Sequence, residues 1–323
     1  MTIHPSQVLD LQMDTHKWYS SIDGIVQLTT QLISEMGLHD TLEKYFDIYP
    51  EAKTVTDLYI SGAKEAISHL YRGDACFVTR DILQIAMQAA EDLPDGVEFQ
   101  EKDLLCPYGF LLLEDGIIVK DKQGDDFLIS GFAWGLERSS ALLGRECVEL
   151  WFLTDSHDQR DAVVKEVVQS DEYSDSFFKS PIHINHYFPL ELGKPLDYPW
   201  KHTEGSIYPA VKLFVALNLL SHQTLAISKP DKPPRASIRR AGRWKPDPGY
   251  ITVITLRHTR KPTETIGEVK VHWSHRWVVG GHWRRQWYPK IQTHRWKYIT
   301  EYIKGPEDKP LVVRKKRLFN FRR

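Results

Sequence analysis

The chain has 323 residues, of which 41% are hydrophobic and 26% charged; this is the composition of a folded globular protein and excludes a disordered or fibrous one. No apolar run approaches the roughly 18 residues of a membrane-spanning helix, so none is expected. The net charge of −1 conceals a division: residues 201–323 hold 27 Lys and Arg against 8 Asp and Glu, while residues 1–200 hold 15 against 35, and a charge asymmetry of this kind points to a polyanion as partner of the basic part.

Met1-Thr2-Ile3-His4-Pro5 has no basic segment leading into an apolar one, so no secretory signal is expected. Residues 25–47 place Ile25, Leu28, Leu32, Ile33, Met36, Leu42 and Phe46 at near-helical spacing, with Gly37 dividing two helices. The spacing predicts a second helix from Thr54 to Tyr71, with Thr54 or Thr56 as N-cap, and a third from Asp74 to Glu91, closed by Leu93-Pro94-Asp95-Gly96. From about residue 104 the period shortens. Phe110-Leu111-Leu112-Leu113, the turn-forming Glu114-Asp115-Gly116 and Ile117-Ile118-Val119 together predict a hairpin. Further strands are expected at Phe127–Trp134 and Val148–Leu153, and Asp155 to Asp161, with His157, reads as a solvated acidic loop.

Residues 171–204 read as an irregular connection rich in Pro, Asp, Ser and aromatics. The boundary placed there separates an acidic helical and β-hairpin domain, residues 1–178, from a basic Trp/Arg/His-rich α+β domain, residues 179–323. Ser206 to Ser221 is the most apolar helix of the chain and the expected spine of the second domain. Prolines then bracket a basic loop containing Arg235, Arg239, Arg240, Arg243 and Lys245. Strands are predicted at Tyr250–His258, Glu268–Tyr288, Trp296–Lys304 and Leu311–Phe321. Helices first and an antiparallel sheet after give an α+β class. Cys76, Cys106 and Cys147 form no CxxC pair and read as reduced thiols of a cytoplasmic protein in a host cell.

The densest chemistry lies between Val271 and Tyr288. If residues 282–288 are extended, His282, Arg284, Gln286 and Tyr288 share one face, and Trp283, Arg285 and Trp287 share the other. Bases stack on aromatic rings while Arg and Lys follow the phosphates, so this pattern suits single-stranded RNA. Arg235, Arg239, Arg240, Arg276, Trp283, Arg285, Trp287, Lys290, His294, Arg295 and Lys297 are the candidate binding residues. A plainer reading makes the tryptophans the core of a twisted sheet.

Metal-free RNA cleavage requires a base, an acid and a cation for the phosphorane charge, and His282, Tyr288 and Arg284 supply those types. No metal is expected: His272 and His275 point to opposite faces of a regular strand, and no Cys is near. No cofactor motif is present.

The run Gly281-His282-Trp283, with Trp287 four residues on and an aromatic-basic strand from Arg295 to Lys304, resembles the large type V-A anti-CRISPR family that prevents production of an effector nuclease, together with its phage and plasmid relatives. The order Leu93-Pro94-Asp95-Gly96 before an apolar hairpin, and a long apolar helix before Pro233-Pro234-Arg235-Ala236-Ser237, is similar too. Arg284 departs from the pattern, which has a second histidine there, and Val278-Val279 replaces a more basic lead-in. The resemblance implies a suppressor of one target's biogenesis that acts during translation, engaging a nascent peptide and its mRNA or the ribosome. The partners implied are RNA or the ribosome and a specific protein, with no membrane and no preference for DNA. Two other readings stand beside it: a metal-independent, toxin-like endoribonuclease and a non-catalytic protein-interaction scaffold.

Overall fold

The structure is a computed structural model and describes residues 2–36, 55–94, 96–120, 125–138, 146–162, 164–165, 179–196, 207–245, 249–257, 275–290, 292–306 and 309–312. The chain is α+β and forms two compact units, Met1–Arg257 and His258–Arg323. No described helix is long and apolar enough to cross a membrane.

The first unit opens with helices α1 (Val8–Tyr19), α2 (Ile22–Met36) and α3 (Val55–Arg72). The segment expected as one helix from Asp74 to Glu91 is instead a strand, β1 (Asp74–Val78), followed by helix α4 (Arg80–Glu91). Ala75-Cys76-Phe77-Val78 is buried throughout, and a short apolar run buried on both faces fits a helical or an extended period equally well. Strands β2 (Tyr108–Lys120), β3 (Asp126–Glu137), β4 (Cys147–Asp155) and β5 (Ile182–Leu190) follow. Then come helix α5 (Tyr208–Ser221), strand β6 (Ala226–Asp231), helix α6 (Arg235–Ala241) and strand β7 (Ile251–Leu256).

Seven described strands form one mixed sheet in the order β5-β4-β3-β2-β1-β7-β6. β1 is parallel to both its neighbours, β2 and β7, and the remaining pairs are antiparallel. Side chains alternate across it. Phe77, Phe110, Leu112, Trp151 and Leu153 face the layer of α1, α2 and α3, where Met13, Leu28, Tyr59, Ala63 and Leu70 complete one core. Phe132 and Trp134 face the other way and pack edge-on or tilted against Phe214 of α5 at 5.6 and 5.3 Å.

Three expectations change here. Glu114-Asp115-Gly116 is not a hairpin turn. β2 runs through it with a register shift between Leu112 and Ile117, because Arg80 clamps Asp115 and the Arg80 amide donates to Glu114. Asp155 to Asp161 is not a solvated loop: Asp155, Ser156, Asp158 and Asp161 are buried, with Asp161 accepting from the Leu128 amide at 2.8 Å. The connection at 171–204 contains β5, which continues the sheet from β4. By packing the compact units part at 257/258, and residues on both sides of 178/179 supply strands to one sheet. Of the two helices expected within residues 25–47, the first is described and ends at Met36; Gly37 and the second lie outside the described residues.

The second unit contains strands β8 (Arg276–Val279), β9 (His282–Tyr288), β10 (Thr293–Ile299), β11 (Tyr302–Lys304) and β12 (Leu311–Val312). β9 and β10 form an antiparallel hairpin, and β8 lies between β11 and β12 in a small second sheet. His272 and the terminal basic residues beyond Val312 lie outside the described residues.

Candidate nucleic-acid interface

Strand β9 forms where aromatic residues alternate with arginines, a sequence that suits a pleated, half-exposed surface. Gly280-Gly281 separates it from β8, and Gln292, just before β10, lies in the left-handed region (φ 46°). The cross-strand register pairs Trp283 with Tyr298, Arg285 with Trp296 and Trp287 with His294. These six residues make one face. Its rings interact at 5.2 Å (Trp283 and Tyr298) and 4.9 Å (Trp287 and His294), and the Arg285 guanidinium stands 5.9 Å from the Trp296 ring centre. The face is graded: Trp283 and Tyr298 are buried, whereas Trp287 near the turn is 46% exposed.

The opposite face carries His282, Arg284, Gln286 and Tyr288 from β9, and Lys297 and Arg295 from β10, with Lys297 opposite Arg284 and Arg295 opposite Gln286. The Arg284 guanidinium donates to Gln286 Oε1 at 2.6 Å, which fixes both on this face. Among the described residues no carboxylate pairs with Arg284, Arg285, Arg295 or Lys297; the described part of the unit holds eight Lys and Arg against Glu301. The hairpin thus offers cations on one side and stacking surface on the other.

The trio of His282, Arg284 and Tyr288 is not brought together. His282 and Tyr288 end the same strand, six residues and about 20 Å apart at the usual rise per residue. His282 is exposed, and its Nδ1 lies 3.1 Å from the Gly280 carbonyl. Lys290 sits in the turn, exposed. Arg276 begins β8 and donates to the Lys309 carbonyl at 2.8 Å. Arg235, Arg239 and Arg240 belong to the first unit, on α6. Arg240 is bound there by Asp10 and Asp14 of α1, while Arg235 and Arg239 are exposed.

A second constellation lies in the first unit, and nothing in the sequence reading singled it out. Glu65 and His69 are one turn apart on α3, Glu137 ends β3 and Glu149 lies in β4. The His69 side chain is fully buried, with Nε2 donating to Glu137 Oε1 at 3.0 Å and Nδ1 4.0 Å from Glu149 Oε2. The Tyr187 hydroxyl donates to Glu149 at 3.3 Å. Arg72 reaches Glu137 at 3.4 Å and lies over the Tyr108 ring. Burial lowers the pKa of His69, opposed by Glu137; the hydrogen bond from His69 in turn holds the Glu137 carboxyl below its ordinary value. The available signal was the i, i+4 spacing of Glu65 and His69, which is silent about partners from distant strands.

Comparison with protein-family models gives no match. Comparison with curated proteins gives none. Among solved structures the chain is similar to one titled "Crystal structure of AcrVA2", at 13% identity and a TM-score of 0.41, over 94% of this chain and 100% of that one.

Proposed function

We propose that the β9–β10 hairpin binds single-stranded RNA, and that the chain acts as an anti-CRISPR-like suppressor of a target protein's biogenesis, engaging RNA or the ribosome together with a specific protein or nascent peptide. The observation that carries the RNA reading is the two-faced hairpin. Arg284, Lys297 and Arg295 stand on one side with no carboxylate paired to them among the described residues, and Trp287 with His294 offers exposed ring surface on the other. Arg and Lys neutralise phosphates, and each base stacked on an aromatic side chain contributes about 1–3 kcal/mol. The suppressor reading rests on the Gly281-His282-Trp283 resemblance. The separation of His282 from Tyr288 speaks against an acid–base pair at this hairpin.

The test is binding of a short labelled RNA by the purified chain across a salt series, beside the Arg284→Ala/Arg285→Ala double variant and its melting temperature. Expected are steep salt dependence in the wild type, loss of affinity in the variant and unchanged melting. Flat salt dependence would assign the chain to protein contacts alone. RNA cleavage in EDTA by the wild type that the double substitution abolishes would return the endoribonuclease.

A further inference from the structure

We propose that Glu65, His69 and Glu137 hold a divalent metal ion of the zinc class, with Glu149 as the carboxylate behind the histidine. One donor atom from each of the three lies within 4.8 Å of the other two. Donors sharing a zinc ion sit about 2.0–2.2 Å from it, hence roughly 3–4 Å from one another. Carboxylates on flexible stems close the difference by rotating about their side-chain bonds.

Three features separate this cluster from an incidental group of acids. The first is the histidine. His69 Nδ1 is buried and has no hydrogen-bond partner, an arrangement that costs about 1–3 kcal/mol unless something compensates it. The second is what stands behind it. Metal-bound imidazoles present one nitrogen to the ion and donate the other N–H to a carboxylate, which fixes the tautomer. Nε2 faces Glu137 and the proposed ion; Nδ1 faces Glu149 at 4.0 Å, a carboxylate fully buried and hydrogen-bonded by Tyr187. With Nε2 on a metal, Nδ1 keeps the proton and points it toward Glu149, which a small rotation from 4.0 Å would make its acceptor. The third is the space. A Cβ at Gly135 would lie 2.3–2.6 Å from atoms of the His69 ring, Nε2 among them, so β3 admits the imidazole only because it carries glycine there.

Glu137 is 19% exposed and Arg72, which shares its oxygen, is 46% exposed. Arg72 can swing into solvent as the ion enters, and the fourth coordination position then opens toward water. Three protein ligands with one open position is the arrangement of zinc sites that bind an exchangeable ligand. This site is in the first unit and is independent of the hairpin reading.

The experiment is titration of chelator-treated full-length protein with zinc chloride by calorimetry. It is repeated with Glu65→Gln, Glu137→Gln and, as a control histidine outside the cluster, His157→Gln. The ring nitrogens of His69 are followed by nitrogen NMR. Expected are one equivalent per chain, at least tenfold weaker binding in both Gln variants, no change in His157→Gln, and a zinc-induced shift at Nε2 of His69. Absence of stoichiometric uptake, or uptake indifferent to Glu65→Gln and Glu137→Gln, overturns the proposal. So does a His69 doubly protonated at neutral pH and unmoved by zinc, which would show that a proton and not a metal bridges the carboxylates.

Discussion

Gly135 and His69 share one space: the volume that a Cβ on Gly135 would need is filled by the His69 imidazole. The ring arrives from α3 and the vacancy is in β3, so a helix–sheet contact depends on a missing methyl group. Gly135→Ala should therefore overpack the contact and cost about 1–3 kcal/mol, read as a lowered melting temperature. A melting temperature equal to that of wild type would mean that the ring moves aside freely.

The hairpin's two tryptophans should respond differently. Trp283 is buried against Tyr298, and Trp283→Ala should destabilise the second unit by about 3 kcal/mol. Trp287 is exposed, so Trp287→Ala should leave melting unchanged and weaken RNA binding by about 1–3 kcal/mol, roughly 5- to 150-fold. Equal effects of the two substitutions on both readouts would remove the distinction between core and stacking surface.

Arg295 stands opposite Gln286 on the basic face. If it neutralises one phosphate, Arg295→Ala should reduce the slope of log affinity against log salt by about 0.7. Lys at the same position should restore the slope, because charge alone sets it. A slope that does not change would place Arg295 outside the contact.

Asp158 is held by Arg160 through its side chain and amide, and the Arg160 hydrogen bonds push its carboxyl far below the ordinary range. A depressed folded-state value means that the contribution is complete above the unfolded value near 4 and fades as pH falls. Asp158→Asn should thus be less stable than wild type at neutral pH, with the difference shrinking in acid below about pH 4. Denaturant midpoints across pH measure it, and a difference that grows in acid contradicts the assignment.

Gln12 is buried in α1 and donates both amide hydrogens, to the Leu70 carbonyl at 2.9 Å and the Gly73 carbonyl at 2.8 Å. These carbonyls lie at the end of α3, where no intrahelical donor remains. Gln12→Leu should cost about 1–3 kcal/mol, seen as a lower denaturant midpoint.

What was legible in the sequence was periodic. The alternation at residues 282–288 gives the two faces of β9 directly, since one residue's shift would invert them. His282 and Tyr288 stand apart because residues that share a strand face need not be neighbours: each pair of residues along it adds nearly 7 Å. β1 failed because burial on both faces erases the alternation that marks a strand. Glu114-Asp115-Gly116 has the composition of a turn, and contacts from distant residues, Arg80 on Asp115 and the Ile3 amide on the Glu114 carbonyl, hold it in the strand. The His69 cluster was invisible for the same reason, since its partners meet through sheet pairing and not through spacing.

β1 pairs on one side with β2, some thirty residues on, and on the other with β7, where Cys76 to Val78 meet Thr252 to Ile254. During synthesis the first edge is covered early and the second waits for the chain to lengthen by about 175 residues, roughly ten to thirty seconds at ordinary elongation rates. An open apolar strand edge is a template for pairing with another chain. The nascent protein is thus exposed to aggregation for most of its own synthesis, until β7 is made. A chain stalled at residue 225 should show fast amide exchange at Thr79, whose N–H donates to the Ile254 carbonyl in the completed chain and is protected there.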